Sequence, residues 1–183
     1  GETSWALRVN PSSGNLHPTE GYLICGSIEN LCDGPIVSHY APKEHGLEIR
    51  TRFSFELWKS LRARFPENVF FIGLTSIHWR EAWKYGERAF RYCQHDVGHA
   101  IGAIAISAAA MGWRTRVLED LGSTELGLLL GTFQEHDAER EEPDTLLAVT
   151  PSQEGMVESG LPIDCVRKFA SLDWRGRPNQ LST

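Results

Sequence analysis

An α+β domain built on a mixed or antiparallel sheet is what these 183 residues predict, and three observations carry the prediction. Strand-length and helix-length apolar runs intermix without the regular strand–helix alternation of a doubly wound fold. The run "NVFFIGLTSI" at 68–77 is continuously apolar, as a strand covered on both faces would be, and is placed centrally. Apolar residues are 41% and charged residues 23% of the chain, so a single domain-sized unit has a core to bury.

Taken in order, "WALRV" (5–9) and "GYLICG" (21–26) read as strands on either side of a loop rich in proline, serine and glycine. A turn at 30–35 precedes a strand at 36–40, and "KEHGLEIR" (43–50) reads as a turn followed by a short strand. In "SFELWKSLRARF" (54–65), Phe55, Leu57, Trp58 and Leu61 fall near helical spacing, and Pro66 ends the helix. After the central strand comes a charged aromatic stretch, 78–96, that merges into a helix of small residues ended by Gly112. "WRTRVLED" (113–120) is a turn and short strand, and "STELGLLLG" (123–131) a helix capped by Ser123 or Thr124. "HDAEREEPD" (136–144) reads as a solvated loop, and "TLLAVTP" (145–151) as a last strand closed by Pro151. The domain is assigned to residues 1–172, and 173–183 to a polar tail or linker.

Composition narrows the function. A formal net charge of −6 argues against a general nucleic-acid binder, which needs clustered cations. No run reaches the roughly 18–20 apolar residues that span a bilayer, and no secretory signal opens the sequence, so a cytoplasmic protein with no membrane partner is expected. Cys25, Cys32, Cys93 and Cys165 contain no C-x-x-C pair; reduced thiols are expected rather than disulfides or a zinc site. The chain begins with Gly rather than Met and starts close to its first motif, so it reads as part of something longer.

Two patterns invite chemistry. "HDVGH" sets His95 and His99 four apart, like the H-E-x-x-H pair of zinc hydrolases. Asp96 stands in place of the glutamate, no third ligand follows, and Gly98 weakens the helix, so no metal is expected and the zinc hydrolase is the weaker alternative. The plainer reading has His95 and Asp96 capping the helix. The second pattern is "PSSGN" at 11–15, where Pro11 fixes φ and short donors and acceptors surround a permissive Gly14. Such a loop either edges a flat heterocycle with converging amides or is a purely structural set of turns. The helix "GHAIGAIAISAAAMG" (98–112) either is crossed closely by neighbours or leaves room for a flat ligand or a second subunit.

"PSSGNLHPTEGYLI", "WKYGERAFRYCQHDVGHAIGA" and "AAAMGW", in that order over residues 8–131, resemble the FMN-dependent nitroreductase-like family, and within it the SagB/ThcOx-type dehydrogenases. "WRGRPNQLS" further resembles long members carrying two such copies in one chain. The resemblance implies a nitroreductase-like α+β fold, FMN as cofactor, and pairing as a homodimer or with a second nitroreductase-like domain. It implies hydride transfer from a small-molecule or peptide-derived substrate, with NAD(P)H as a further electron donor.

Pro11, Ser12, Ser13, Gly14 and Asn15 then carry over as flavin contacts, and residues 117–120 as backbone near the reactive edge. Lys84 and Tyr85 match a catalytic Lys-Tyr pair. A lysine can take a proton only when partly neutral, a state that desolvation and the cations Arg80 and Arg88 favour. The plainer reading pairs Lys84 with Glu81 or Glu87 and has Tyr85 simply packing. The family's N-terminal helices, which bring arginines to the FMN phosphate, have no counterpart here, so Arg8, with Arg88 and Arg91, is the candidate anion ligand. That departure supports an alternative from another class: a non-catalytic copy that serves as a dimerisation or pocket-completing scaffold.

Overall fold

The computed structural model of the chain describes residues 8–133, 140–151 and 160–176. Six antiparallel strands form one sheet in the order β3-β2-β1-β4-β6-β5: β1 (Thr19–Cys25), β2 (Ile36–Ala41), β3 (Gly46–Arg52), β4 (Phe70–Ser76), β5 (Arg114–Leu118) and β6 (Glu142–Thr150). The predicted α+β class holds, and the sheet is antiparallel throughout. β4 lies between β1 and β6, which accounts for its unbroken apolar run.

Successive side chains alternate across the sheet, and the two faces have different fates. Tyr22 and Ile24 of β1, Phe71 of β4, and Leu146 and Ala148 of β6 join the main core. That core is closed by α1 (Phe55–Leu61), α4 (Ser123–Leu130) and α5 (Ile163–Arg167), which supply Trp58, Leu61, Leu126, Leu129, Leu130 and Val166. Gly73 is in β4 because Leu130 lies above it: a Cβ there would come within 2.4 Å of the leucine. The opposite face carries Ile72, Leu74 and Leu147, and a smaller cluster with Val97, Ala100, Ile101 and Ile104 forms beneath α3 (Ala89–Ala110). α2 (Trp79–Tyr85) leads into α3.

Several boundaries differ from expectation for local reasons. The helix α1 ends at Leu61, short of Pro66, with Arg62 closing it. Gly122, not Ser123 or Thr124, is the N-cap of α4, and no side chain makes the capping bond. α3 starts at Ala89, so His95 and Asp96 lie well inside it and cap nothing. β6 begins at Glu142, taking in three residues expected to be loop, because they continue the pairing with β4. Arg8 and Val9 are not in a strand; residues 5–7 of that expected strand, 136–139 of the expected loop and 177–183 of the tail lie outside the described residues. The tail's first residues dock on β3: Arg175 N–H donates to Arg50 O at 2.7 Å, and Thr51 Oγ to Asp173 O at 2.9 Å.

Gly131 ends α4 in the left-handed region at φ +77°, and a Cβ there would lie 2.3 Å from the Trp174 ring. That indole is held by its Nε1–H bond to Phe169 O at 2.9 Å and has little freedom to yield. Gly131→Ala should therefore cost about 2–4 kcal/mol in urea unfolding, from backbone strain plus overpacking. Gly86→Ala faces open space, but φ +55° with ψ −132° is backbone that side-chain-bearing residues rarely adopt, so strain alone should cost about 1–3 kcal/mol.

Candidate functional site

α3 covers only part of its sheet face. Between it and β1, β2 and β4 lies a cleft of about 590 Å³, walled by Gly21, Leu23, Ile72, Ala100, Ala103 and Trp113 among others. The walls are mainly apolar, with polar groups at one end: Arg8, Asn10, His17, Glu20 and Asp96.

The segment entering β1 shapes that end. Gly14, Asn15 and His17 take φ of +63°, +59° and +49°, three left-handed residues within four. The turn sustains itself: Asn15 N–H donates to Ser12 O at 3.1 Å, Leu16 N–H to Ser13 O at 3.4 Å, and His17 N–H to Ser12 Oγ at 2.9 Å. His17 Nε2 lies 2.8 Å from Asn15 Oδ1, an acceptor, so Nε2 carries the ring proton. Burial and then the Arg8 cation hold the His17 pKa below its usual value, against the pull of Asp96, so the ring is neutral at pH 7. Burial likewise lowers the Arg8 pKa, with Glu20 opposing it.

Of the residues predicted to touch a cofactor, Arg8 lines the cleft. Pro11, Ser12, Ser13, Gly14 and Asn15 do not; three amides of that turn are spent on the turn itself, which is the structural reading of its composition. The turn instead lies on the predicted catalytic pair. A Cβ on Gly14 would fall 2.6 Å from Tyr85 Oη and 2.7 Å from Lys84 Nζ, so glycine is what permits the approach. Lys84 Nζ lies 5.3 Å from the Tyr85 ring centroid, and Tyr85 meets Tyr92 edge-on at 4.7 Å. Lys84 is exposed and forms no ion pair among the described residues. Arg88 and Arg91 are exposed and do not line the cleft, nor do residues 117–120.

Two carboxylates that sequence reasoning did not place here are the least satisfied groups of the region. Glu81 of α2 is 0% exposed and Asp96 of α3 is 1% exposed, and neither carboxyl has a hydrogen-bond partner. Burial, then Asp96, raises the Glu81 pKa, with Lys84 opposing, which favours a proton on Glu81. "HDVGH" held the signal: Asp96 points inward while His95 and His99, on the same helix, are exposed. Among the described residues, no group of three or more histidines, cysteines and acids could hold a metal ion.

A charged relay fixes this end to the sheet. Glu20, buried in β1, accepts from Arg80 of α2 and from His39 Nε2 of β2 at 2.8 Å, while His39 Nδ1 lies 3.0 Å from Glu48 of β3. Arg80 also donates to His17 O at 3.2 Å. Burial works against the Glu20 carboxylate, but His39 and Arg80 outweigh it and hold its pKa below the ordinary value. His39 is likewise opposed by burial, yet its bonds to Glu20 and Glu48 raise its pKa. Beside it, Tyr22 Oη donates to Glu141 at 2.6 Å.

The small residues of α3 serve the cleft rather than a close crossing. Nothing lies within 4 Å of where a Cβ on Gly98 or Gly102 would sit, whereas Ala100, Ala103 and Ala108 line the cavity. The outer side of the α2–α3 pair carries open apolar side chains, Trp83 at 62%, Phe90 at 64% and Ile106 at 73% exposure, among the exposed Arg91, Gln94, His95 and His99. No helix among the described residues is long and apolar enough to cross a membrane.

Solved structures share this fold. A protein classed as a nitroreductase from Anabaena variabilis aligns over 78% of this chain at 28% identity with a TM-score of 0.63, and the match covers 29% of that protein. A chain of the E. coli microcin synthetase McbBCD complex, with truncated pro-MccB17 bound, aligns over 82% at 22% identity with a TM-score of 0.67, covering 57% of it. A second protein classed as a nitroreductase, from Ralstonia eutropha, aligns over 81% at 14% identity with a TM-score of 0.59, covering 64% of it. The chain thus has a nitroreductase-like fold and spans under two thirds of each of these neighbours. No family model matches the sequence, and neither does any curated protein.

The relay gives a signed pH dependence. His39 has a folded pKa above its ordinary 6.5, so its contribution is full below about pH 6.5 and disappears as pH rises through the folded value. Glu20 lies below its ordinary 4.5, so its contribution is present above about pH 4.5 and lost as pH falls through its folded value. The stability gap between wild type and His39→Gln, followed by urea midpoints from pH 5.5 to 9, should therefore narrow as pH rises. A gap that stays constant with pH would rule out the charged relay.

Proposed function

We propose that this chain is an FMN-dependent oxidoreductase of the nitroreductase or SagB-type dehydrogenase kind, with the cofactor in the cleft between α3 and the sheet. The observation that carries this reading is the cleft itself: mainly apolar, walled by small residues and about 590 Å³ in volume, within a nitroreductase-like fold. Gly21, Ala100 and Ala103 leave the flat walls that a planar ring requires. The unpartnered Asp96 carboxyl fits a ring N–H, and the half-buried Arg8 guanidinium fits a phosphate. The Pro11–Asn15 turn acts indirectly in this reading, setting the position of Arg8, Asn10 and His17 on its flanks.

Bound FMN would accept a hydride from a reduced nicotinamide or an organic substrate and pass the electrons on. The chain's own part is to exclude water, hold the ring and manage a proton. Neutral His17, with Nδ1 left as its acceptor, and the unpartnered Asp96 carboxyl stand at the polar end for that purpose. Lys84 and Tyr85, under Gly14, are the proposed proton-transfer pair for a substrate entering from the loop side. In this reading residues 1–172 are one nitroreductase-like unit, and the exposed Trp83, Phe90 and Ile106 of α2 and α3 support its pairing with a second copy or a second such domain. The microcin synthetase neighbour, a multi-subunit complex, supports the same arrangement.

A scaffold reading is favoured by two other facts: the turn spends its own amides, and Lys84 is exposed. Purification separates the two. An oxidoreductase should bind added FMN, with Arg8→Ala weakening it roughly tenfold to a hundredfold by flavin fluorescence quenching. A chain that takes up no flavin is a scaffold.

The pair on α2 makes a further prediction. Lys84→Ala and Tyr85→Phe should lower turnover of a nitroaromatic or quinone about 10²-fold while flavin stays bound. Unchanged turnover in both would leave the pair a packing role under Gly14.

A further inference from the structure

β1 ends at Cys25, and the chain turns at once into a loop that closes on itself. Ile28 and Cys32 exchange both backbone bonds, Ile28 N–H to Cys32 O at 3.0 Å and Cys32 N–H to Ile28 O at 2.9 Å. Asn30 makes the reversal at φ +62°, a conformation its short side chain tolerates, and Ser27 Oγ adds a bond to Cys32 O at 3.2 Å. Gly26 lies flush on the Trp58 indole, where a Cβ would come within 2.5 Å of Nε1, so the strand end is fixed as well. The result is two sulfurs in contact: Cys25 Sγ and Cys32 Sγ are 3.8 Å apart.

We propose that Cys25 and Cys32 are a redox-active dithiol, a site at which a small-molecule disulfide of the glutathione type reversibly forms an intramolecular disulfide. Bonding asks the sulfurs to approach by roughly 2 Å, a movement that side-chain rotation supplies while the backbone turn stays closed. Because the two sulfurs already touch, the second displacement is unimolecular and favoured over a second external thiol.

The two thiols take different roles. Cys25 is fully buried, and burial, then Cys32, pushes its pKa up to about 12, which keeps it a thiol and out of reach of an oxidant. Cys32 is half-buried and reachable, its S–H 3.2 Å from Gly26 O. Cys32 Sγ, as thiolate, attacks one sulfur of the incoming disulfide, and the other sulfur leaves as a thiol carrying the proton Cys32 lost. Cys25 Sγ then attacks Cys32 Sγ in the mixed disulfide; the S–S bond to the small molecule breaks, and the second thiol departs with the Cys25 proton. Two cysteine thiols are oxidised, and one external disulfide is reduced to two thiols.

The test is a thiol count. The purified chain is equilibrated with excess oxidised glutathione, alkylated, and mapped by mass spectrometry without reduction. Two of the four cysteines should resist alkylation, one peptide should join residues 25 and 32, and dithiothreitol should restore four thiols. Cys32→Ser should leave Cys25 as a free thiol under the same conditions. Alkylation of all four cysteines, a lasting glutathione adduct on Cys32, or a crosslink through Cys93 or Cys165 would overturn the proposal.

Discussion

The carboxylate of Glu20 is the constraint on which the site depends. It is buried at the start of β1 and accepts from two cationic groups, Arg80 from α2 and His39 from β2. Burying an ionised group is costly unless it is paired and hydrogen-bonded, and here three strands and a helix converge to pair it. Arg80 also holds His17 O, so a single guanidinium sets both the exit of the loop and the angle of α2. Every other polar feature of the region follows from this. Glu81 is the next residue along α2, Lys84 and Tyr85 lie one turn further, and Gly14 rests on both.

The two faces of the sheet explain why there is a cleft at all. On one face, three helices bring leucines and aromatic rings onto alternating residues of β1, β4 and β6 and leave a continuous core. On the other, a single helix rich in alanine and glycine provides only a small cluster against Leu74 and Leu147. Small side chains cannot fill the space out to β1 and β2, so the cavity results from composition as much as from topology. Asp96, which lines that cavity, and Glu81 of α2 carry carboxyls without partners, a departure from the usual rule that buried polar atoms are bonded.

Much of the fold was legible because its signals are local. The unbroken run of β4, the helical spacing of Phe55, Leu57, Trp58 and Leu61, and the Gly112 stop each report on their own neighbourhood. α5, by contrast, is five residues long and is held by the core contacts of Val166, and of Phe169 in the turn that follows it, rather than by any pattern of its own. The site was less legible. "PSSGN" looks like a set of outward-facing donors, and only the folded chain shows Ser12 and Ser13 accepting those amides. Lys84, Tyr85 and Gly14 were singled out for separate reasons, and their contact across some 70 residues could not be read from spacing. The burial of Glu81 and Asp96, and the proximity of Cys32 to Cys25, likewise depend on how segments fold back on one another.

The strand order has a consequence for how the molecule is made. β5 has one neighbour in the sheet, β6, which lies further along the chain. Emerging from a ribosome, the β1–β2–β3 meander and β4 can assemble in sequence, while β5 waits with Val117 and Leu118 unpaired until β6 slides in beside β4. Substitutions that delay β6 therefore lengthen the life of an exposed, adhesive edge. They reduce the yield of correctly assembled protein even where the finished molecule is no less stable.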